Sequence, residues 1–365
     1  MKVLMCLGTR PELIKMSTVI KMLRKSKKVE CIVCLSGQHR ELAENVISEL
    51  GIQINYNLDV MKENQTLQYI LAIVVEKLRN LIRDIKPDYI IVHGDTSTCF
   101  ASAVCSFYEH IPIIYVEAGW RSNDKYTPFP EEMHRRLVSQ MASYFLCSTE
   151  NNYNTLISEG IDKRHIFITG NPISDILHQT LSFKYYFSNT ILNEIVTKKY
   201  VLLTFHRREN RNRILDLYKI ICKIAQEKSD IEFIWVCHPS IKERLDSLSL
   251  FDEVSNLSLL FPLGVYDMHN LIYRTSLIMT DSGGIQEEAY ILNKPIIILR
   301  EGIERIELLN EHSVISDLEE DVIRKHIDLF LKDVSYNPSD LNLPMESISS
   351  RIVRIIEGIC YGEYG

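Results

Sequence analysis

The sequence predicts an α/β protein built from two Rossmann-like domains, and three observations carry that prediction. Short apolar runs rich in β-formers alternate with helical periodicity from the first residue onward. The alternation breaks at Gly170-Asn171-Pro172 and begins again at Tyr200. The chain has 365 residues, long for one core and suited to two. Domains are therefore expected at 1–170 and 171–346, with a last helix at 347–360 that crosses back to the first.

The opening strand leads into Gly8-Thr9-Arg10-Pro11-Glu12-Leu13-Ile14-Lys15. Gly8 permits a tight turn, Pro11 is placed to begin a helix at its first position, and Arg10 and Lys15 stand by that helix's positive end. An ordinary βα turn uses the same residues, but two cations at this end suit an anion. A second strand at 29–36 runs through Gly37-Gln38-His39-Arg40 to a helix ending near Gly51. Thr66 to Ile85 reads as a long helix with Leu67, Ile70, Leu71, Val74, Leu78 and Ile82 on one face. Strands at 88–92, 112–116, 143–148 and 165–169 complete this half.

Two of these strands deliver acids. Tyr89-Ile90-Ile91-Val92 leads to His93-Gly94-Asp95-Thr96, and Pro112-Ile113-Ile114-Tyr115-Val116 leads to Glu117-Ala118-Gly119-Trp120. Asp95 and Glu117 are expected at or just past the carboxyl ends of buried parallel strands, where open α/β sheets bind ligands. Glu131 opens a helix behind Pro130. Each acid also has a structural explanation: Asp after Gly forms turns, and Glu131 and Glu132 have Arg135 and Arg136 one helical turn away. Three acids brought to one strand edge from separate loops nonetheless read as proton-transfer machinery.

In the second half, Tyr200 to Phe205 delivers His206-Arg207-Arg208-Glu209-Asn210, and strands at 231–237, 257–261, 276–280 and 295–299 follow. The strand at 276–280 runs into Asp281-Ser282-Gly283-Gly284-Ile285-Gln286-Glu287-Glu288. Ser282, Gly283 and Gly284 open a helix with bare N–H groups and a hydroxyl, and glycine lets a phosphate come close to the backbone. A plain helix cap would use the same residues. Glu288, one turn in, is placed to hold a sugar or ribose hydroxyl, or else is a solvated helix residue. His206, next to two arginines, reads as a phosphate contact rather than a strand-end histidine bonded to backbone. The last helix carries Ile348, Ile352, Ile355 and Ile359 on one face.

Composition narrows the function. Hydrophobic content of 46% with 24% charge is that of a globular protein. The net charge of −7, from 41 basic and 48 acidic residues, argues against nucleic acid or an anionic membrane as the main partner. Nine cysteines lie scattered in apolar runs, as expected of reduced cytoplasmic thiols. Neither a signal peptide nor an apolar stretch of spanning length is read, so the expected location is the cytoplasm. No G-x-G-x-x-G follows a strand, no G-x-x-x-x-G-K-[ST] occurs, and no cluster has metal-ligand spacing. Neither a cofactor nor a metal is expected.

Two halves expected to face each other across a cleft, with anion loops on both and acids on one, suit a nucleotide-sugar enzyme. Gly8-Thr9-Arg10-Pro11-Glu12, Gln38-His39-Arg40-Glu41, His93-Gly94-Asp95-Thr96, Glu117-Ala118-Gly119, Pro130-Glu131-Glu132, His206-Arg207-Arg208-Glu209-Asn210 and Asp281 to Glu288, in that order over residues 1–305, resemble the non-hydrolysing UDP-N-acetylglucosamine 2-epimerases. The resemblance implies a GT-B-like fold and interconversion of UDP-N-acetylglucosamine with UDP-N-acetylmannosamine. It makes Asp95, Glu117 and Glu131 the acid/base groups, places His206 with them in the catalytic set, and gives the diphosphate to Arg10, His206 and the Ser282-Gly283-Gly284 helix end. Lys15 and Arg305 are further contacts of the family type.

The chemistry agrees independently. The C2 proton of an N-acetylhexosamine is not next to a carbonyl, and without a redox cofactor no C3 ketone can form. What remains is expulsion of UDP from C1 as a base takes the C2 proton, giving a 2-acetamidoglucal, followed by re-addition with a proton on the other face. Other readings stay open: a related UDP-2-acetamido sugar as substrate, a hydrolysing 2-epimerase releasing N-acetylmannosamine and UDP, a glycosyltransferase, or an inactive UDP-sugar-binding protein. The sequence departs from the family's usual pattern at Trp120, where Leu is usual, and at Met268, where an aromatic residue would stack on uracil. Helices on the outer faces suit a homodimer.

Overall fold

In a computed structural model of the chain, residues 1–37, 40–62, 65–207, 210–237, 241, 245, 254–300, 306–332 and 344–364 are described, with backbone alone at 40–43, 211 and 306. The chain divides into two compact units, Met1–Ile176 with Pro344–Gly365, and Leu177–Leu343.

The first unit runs β1 (Lys2–Leu7), α1 (Arg10–Leu23), β2 (Glu30–Leu35), α2 (Arg40–Leu50), β3 (Tyr56–Asn57), α3 (Leu67–Ile85), β4 (Tyr89–His93), α4 (Ser97–Tyr108), β5 (Ile113–Ala118), α5 (Glu131–Met141), β6 (Tyr144–Cys147), α6 (Glu150–Ser158), β7 (Ile166–Ile168) and α7 (Ile173–Thr180), and the chain leaves the unit within α7. Its seven strands lie in the order β3-β2-β1-β4-β5-β6-β7, every pair parallel. The order reverses between β1 and β4, so the carboxyl ends of those two strands frame the crevice where an open sheet of this kind takes its ligand. Strands buried on both faces explain the continuous apolar runs: β1, β4 and β5 are almost wholly buried.

Local chemistry sets the helix starts. Glu12 returns its Oε2 to the backbone N–H of Gly8 (3.0 Å) and Thr9 (2.7 Å), which fixes Thr9 as the N-cap and puts Pro11 at the second helical position rather than the first. Thr66 caps α3 through Tyr69 N. On α3 the buried stripe is Ile70, Val74, Leu78, Ile82 and Ile85; Leu67 and Leu71 are half-buried. Each fully buried member contributes about 1.5–3 kcal/mol.

The second unit continues with α8 (Thr190–Ile195), β8 (Tyr200–Thr204), α9 (Ile214–Glu227), β9 (Glu232–Val236), β10 (Leu257–Leu260), α10 (Val265–Arg274), β11 (Leu277–Thr280), α11 (Gly283–Ile291), β12 (Ile296–Ile298), β13 (Ser313–Ile315) and α12 (Glu320–Lys332). Among the described residues its six strands, all parallel, are ordered β10-β9-β8-β11-β12-β13, with the reversal between β8 and β11. Trp235, Phe233, Phe205, Tyr218 and Ile221 belong to its core. The last helix, α13 (Ile348–Cys360), lies in the first unit, capped by Asp175, which accepts from Ser349 N (2.6 Å) and Ile348 N (3.2 Å). It buries Ile348, Ile352, Ile356 and Ile359; the helical period carries Ile356, not Ile355, to the inner side. Among the described residues no helix is long and apolar enough to cross a membrane.

Lys294 is a buried amine whose Nζ donates to Thr275 O at 2.9 Å. Burial lowers it from 10.5 to about 7. The folded state therefore binds fewer protons than the unfolded state between these values, and this penalty shrinks as pH rises. Urea titrations are expected to show the native chain gaining stability relative to Lys294→Met between pH 7 and pH 10.

Candidate active site

In the first unit the ends of β1, β4 and β5 are neighbours in the sheet, and they gather the ionisable groups. Glu117 is the centre. It is 5% exposed, and its backbone is left-handed, φ +65°, at a register shift in the β5–β6 pairing between Val116 and Ala118. A non-glycine residue held this way costs on the order of 1–3 kcal/mol and is found where a side chain must be aimed. Lys15 Nζ meets Oε1 at 2.8 Å and Oε2 at 2.9 Å, and His93 Nε2 lies 2.7 Å from Oε2. The histidine's approach falls outside hydrogen-bond geometry, so it is a close polar contact. Lys15 and His93 are themselves buried.

Asp95, two residues past β4, is held by Arg135 of α5 through Nε (2.9 Å) and Nη2 (2.7 Å), both to Oδ2. His134 Nδ1 donates to Asp95 O at 2.9 Å, and its ring stacks on Phe100. Burial lowers the His134 pKa, so the ring stays neutral. Glu131 is the first, half-buried residue of α5. Its neighbour Glu132 is fully buried and structural: it binds Arg135 (3.3 Å), Arg136 (2.9 Å) and Ser122 N (2.9 Å). Arg10 is half-buried at the start of α1. Lys15, read from the sequence as an anion contact beside it, is turned onto Glu117.

Gly119 follows the bulge with φ +95°, and a Cβ there would stand 2.4 Å from Asn152 O. Gly119→Ala is expected to destabilise the protein by about 3 kcal/mol, seen as a lower melting temperature. Trp120 next to it is 3% exposed, so the departure at that position serves packing.

In the second unit the organising residue is Asp281, 0% exposed at the end of β11. Its carboxylate accepts from His206 N (3.1 Å), Arg207 N (2.9 Å) and Asn210 Nδ2 (3.0 Å), which fixes the loop after β8. The side chain of His206 is 51% exposed, with Nδ1 3.4 Å from Asp281 Oδ1. Ser282 holds the N-cap position of α11, yet its side chain makes no capping hydrogen bond. Gly283 and Gly284 form the first turn, and neither a positive φ nor a near neighbour among the described residues demands glycine at 284. Glu288, a turn further, has Oε1 3.8 Å from Nε2 of His269, whose Nδ1 lies 2.7 Å from Thr180 Oγ1. Met268 is half-buried on α10. Arg305, Gln38, His39, Arg208 and Glu209 lie outside the described residues.

Sequence reasoning missed His93, Arg135, Glu12 and Asp281 as parts of the arrangement. All four stand inside or beside the quoted motifs, but their partners come from distant segments.

Two tandem parallel-sheet α/β units, each with its polar residues at the strand-order reversal, place the chain in the GT-B-like class. The family described as UDP-N-acetylglucosamine 2-epimerase matches residues 21–357. The chain belongs to that family, whose members are isomerases. It is 37% identical to the UDP-N-acetylglucosamine 2-epimerase of Bacillus subtilis over 308 residues, covering 84% of this chain and 80% of that one. The crystal structure of UDP-GlcNAc 2-epimerase from Neisseria meningitidis bound to UDP-GlcNAc superposes with a TM-score of 0.87 at 33% identity, covering 98% of this chain and 99% of that one. That of the Methanocaldococcus jannaschii enzyme in complex with UDP-GlcNAc and UDP gives 0.86 at 32% identity, again covering 98% and 99%.

Proposed function

We propose that the chain interconverts UDP-N-acetylglucosamine and UDP-N-acetylmannosamine by eliminating and re-adding UDP through a 2-acetamidoglucal. One observation carries the reading: a buried glutamate, Glu117, held in a left-handed backbone conformation and ion-paired to Lys15 at the carboxyl-terminal edge of its sheet. An ion-paired carboxylate enters the reaction as a base. It takes the C2 proton, the C2–H electrons form the C1=C2 bond, and UDP leaves with the pair from C1–O. Re-addition runs the same bonds in reverse, with the proton delivered to the other face of C2. Asp95 and Glu131 serve that second face. Arg10, His206 and the Ser282-Gly283-Gly284 helix end hold the diphosphate, and Glu288 takes a ribose hydroxyl. Support comes from the substrates bound in the similar structures.

Incubation with UDP-N-acetylglucosamine in heavy water, followed by proton NMR, is expected to yield UDP-linked N-acetylmannosamine deuterated at C2. An unlabelled C2 sinks the route, and free N-acetylmannosamine with UDP would assign the chain to hydrolysing chemistry instead. The reading includes a cytoplasmic location, supported by nine free cysteines of which eight are buried, and a homodimer, to be weighed by light scattering.

A further inference from the structure

Two of the groups that meet Glu117 differ in character. Lys15 brings an ammonium and His93 an imidazole, the side chain whose ordinary charge change falls in the neutral range. We propose that His93 is a positioning residue for the reaction: its imidazole, in close polar contact with Oε2 of Glu117, ties the glutamate's action as a base to its own charge. The inference rests on the elimination reading above and adds to it a residue and a pH dependence.

The geometry leaves His93 little freedom to do otherwise. It is the last residue of β4, 3% exposed, and its Nε2 reaches Oε2 at 2.7 Å, closer than either Lys15 contact. Charged and titratable groups reach the pair from several elements. From α1 come Lys15, on Glu117, and Glu12, whose charge acts on His93 and is acted on by it. Glu12 is itself immobilised: Oε2 accepts from Gly8 N, Thr9 N and Thr9 Oγ1, and Oε1 from Thr96 Oγ1. From the β4–α4 loop comes Asp95, neutralised by Arg135. From α4 comes the Cys99 thiol and from β5 the Tyr115 hydroxyl, both pushed up by burial and so uncharged. Burial raises Glu12, while the charge of His93 opposes that rise. His93 therefore touches one buried carboxylate, Glu117, and interacts through charge with a second, Glu12. When it is protonated its charge draws on Oε2 and opposes acceptance of the C2 proton; when neutral it exerts no such pull, and the Lys15 ion pair remains.

The test is a kcat and KM pH profile, from pH 5.5 to 9, on the full chain and its His93→Gln and His93→Phe variants, with thermal melts run alongside. In the native chain kcat is expected to rise with pH across an imidazole titration. His93→Gln keeps an amide against Oε2: it is expected to hold KM within about 2-fold, lower kcat by roughly 10-fold, and remove that limb of the profile. His93→Phe, lacking any polar contact, is expected to lose more kcat than His93→Gln at equal folded fraction. A native profile without the limb, a His93→Gln profile that retains it, or a kcat that falls only in proportion to the folded fraction overturns the proposal. The native profile needs no variant, so a variant that fails to fold still leaves a decision. Glu117→Gln separates the two readings. If it stays active, the elimination reading itself fails; if it is inactive while His93→Gln behaves as native, only this inference fails.

Discussion

Glu117→Gln is expected to lower epimerisation by at least about 10²-fold and to abolish deuterium entry at C2, with UDP-sugar binding retained. On the proposed route the substitution removes the group that takes the proton while keeping its shape. It also strands the ammonium of Lys15, 6% exposed, beside a neutral amide. Removing one member of a buried ion pair costs on the order of 3–5 kcal/mol, so a lower melting temperature is expected as well. The double variant Lys15→Met/Glu117→Gln isolates the two effects: stability should return in large part and activity should not. Activity near the native level in Glu117→Gln would remove the residue from the chemistry.

Asp281→Ala is expected to have the second-largest effect, and of another kind. The carboxylate holds two backbone N–H groups and the Asn210 amide around one buried point. Without it those donors lose their acceptor, at about 1–3 kcal/mol each. The backbone at His206 and Arg207 is then expected to lose its anchor, and with it the proposed diphosphate contact. The expected signature is a KM for the UDP-sugar raised well above 10-fold, a weaker UDP affinity by calorimetry, and a lower melting temperature, with C2 labelling of whatever product forms still complete. Unchanged KM would mean that the loop is held by something other than Asp281.

Much of the fold was legible because parallel strands buried on both faces leave uninterrupted apolar runs, and the helices between them keep their own period. β3 and β13, two and three residues long, carry too little pattern to be seen. The expected divide at 170 followed a Gly-Asn-Pro break, whereas the units part six residues later, within α7, where packing rather than chain chemistry decides. In the site, Glu132 with Arg136 was readable from helical spacing alone. Lys15 with Glu117, 102 residues apart, was not, and neither was Arg135 with Asp95, 40 residues apart. Strand order brings those partners together, and a linear pattern does not encode it. For the same reason Lys15 read as a waiting anion contact, and the acid that it meets was assigned separately.

The four outermost strands, β3, β7, β10 and β13, have between two and four residues each. A ladder that short gives an incoming chain few backbone groups to zip onto. Growth of either sheet by ribbon addition from another molecule is thereby blunted, and concentrated stocks are protected from that path to fibres.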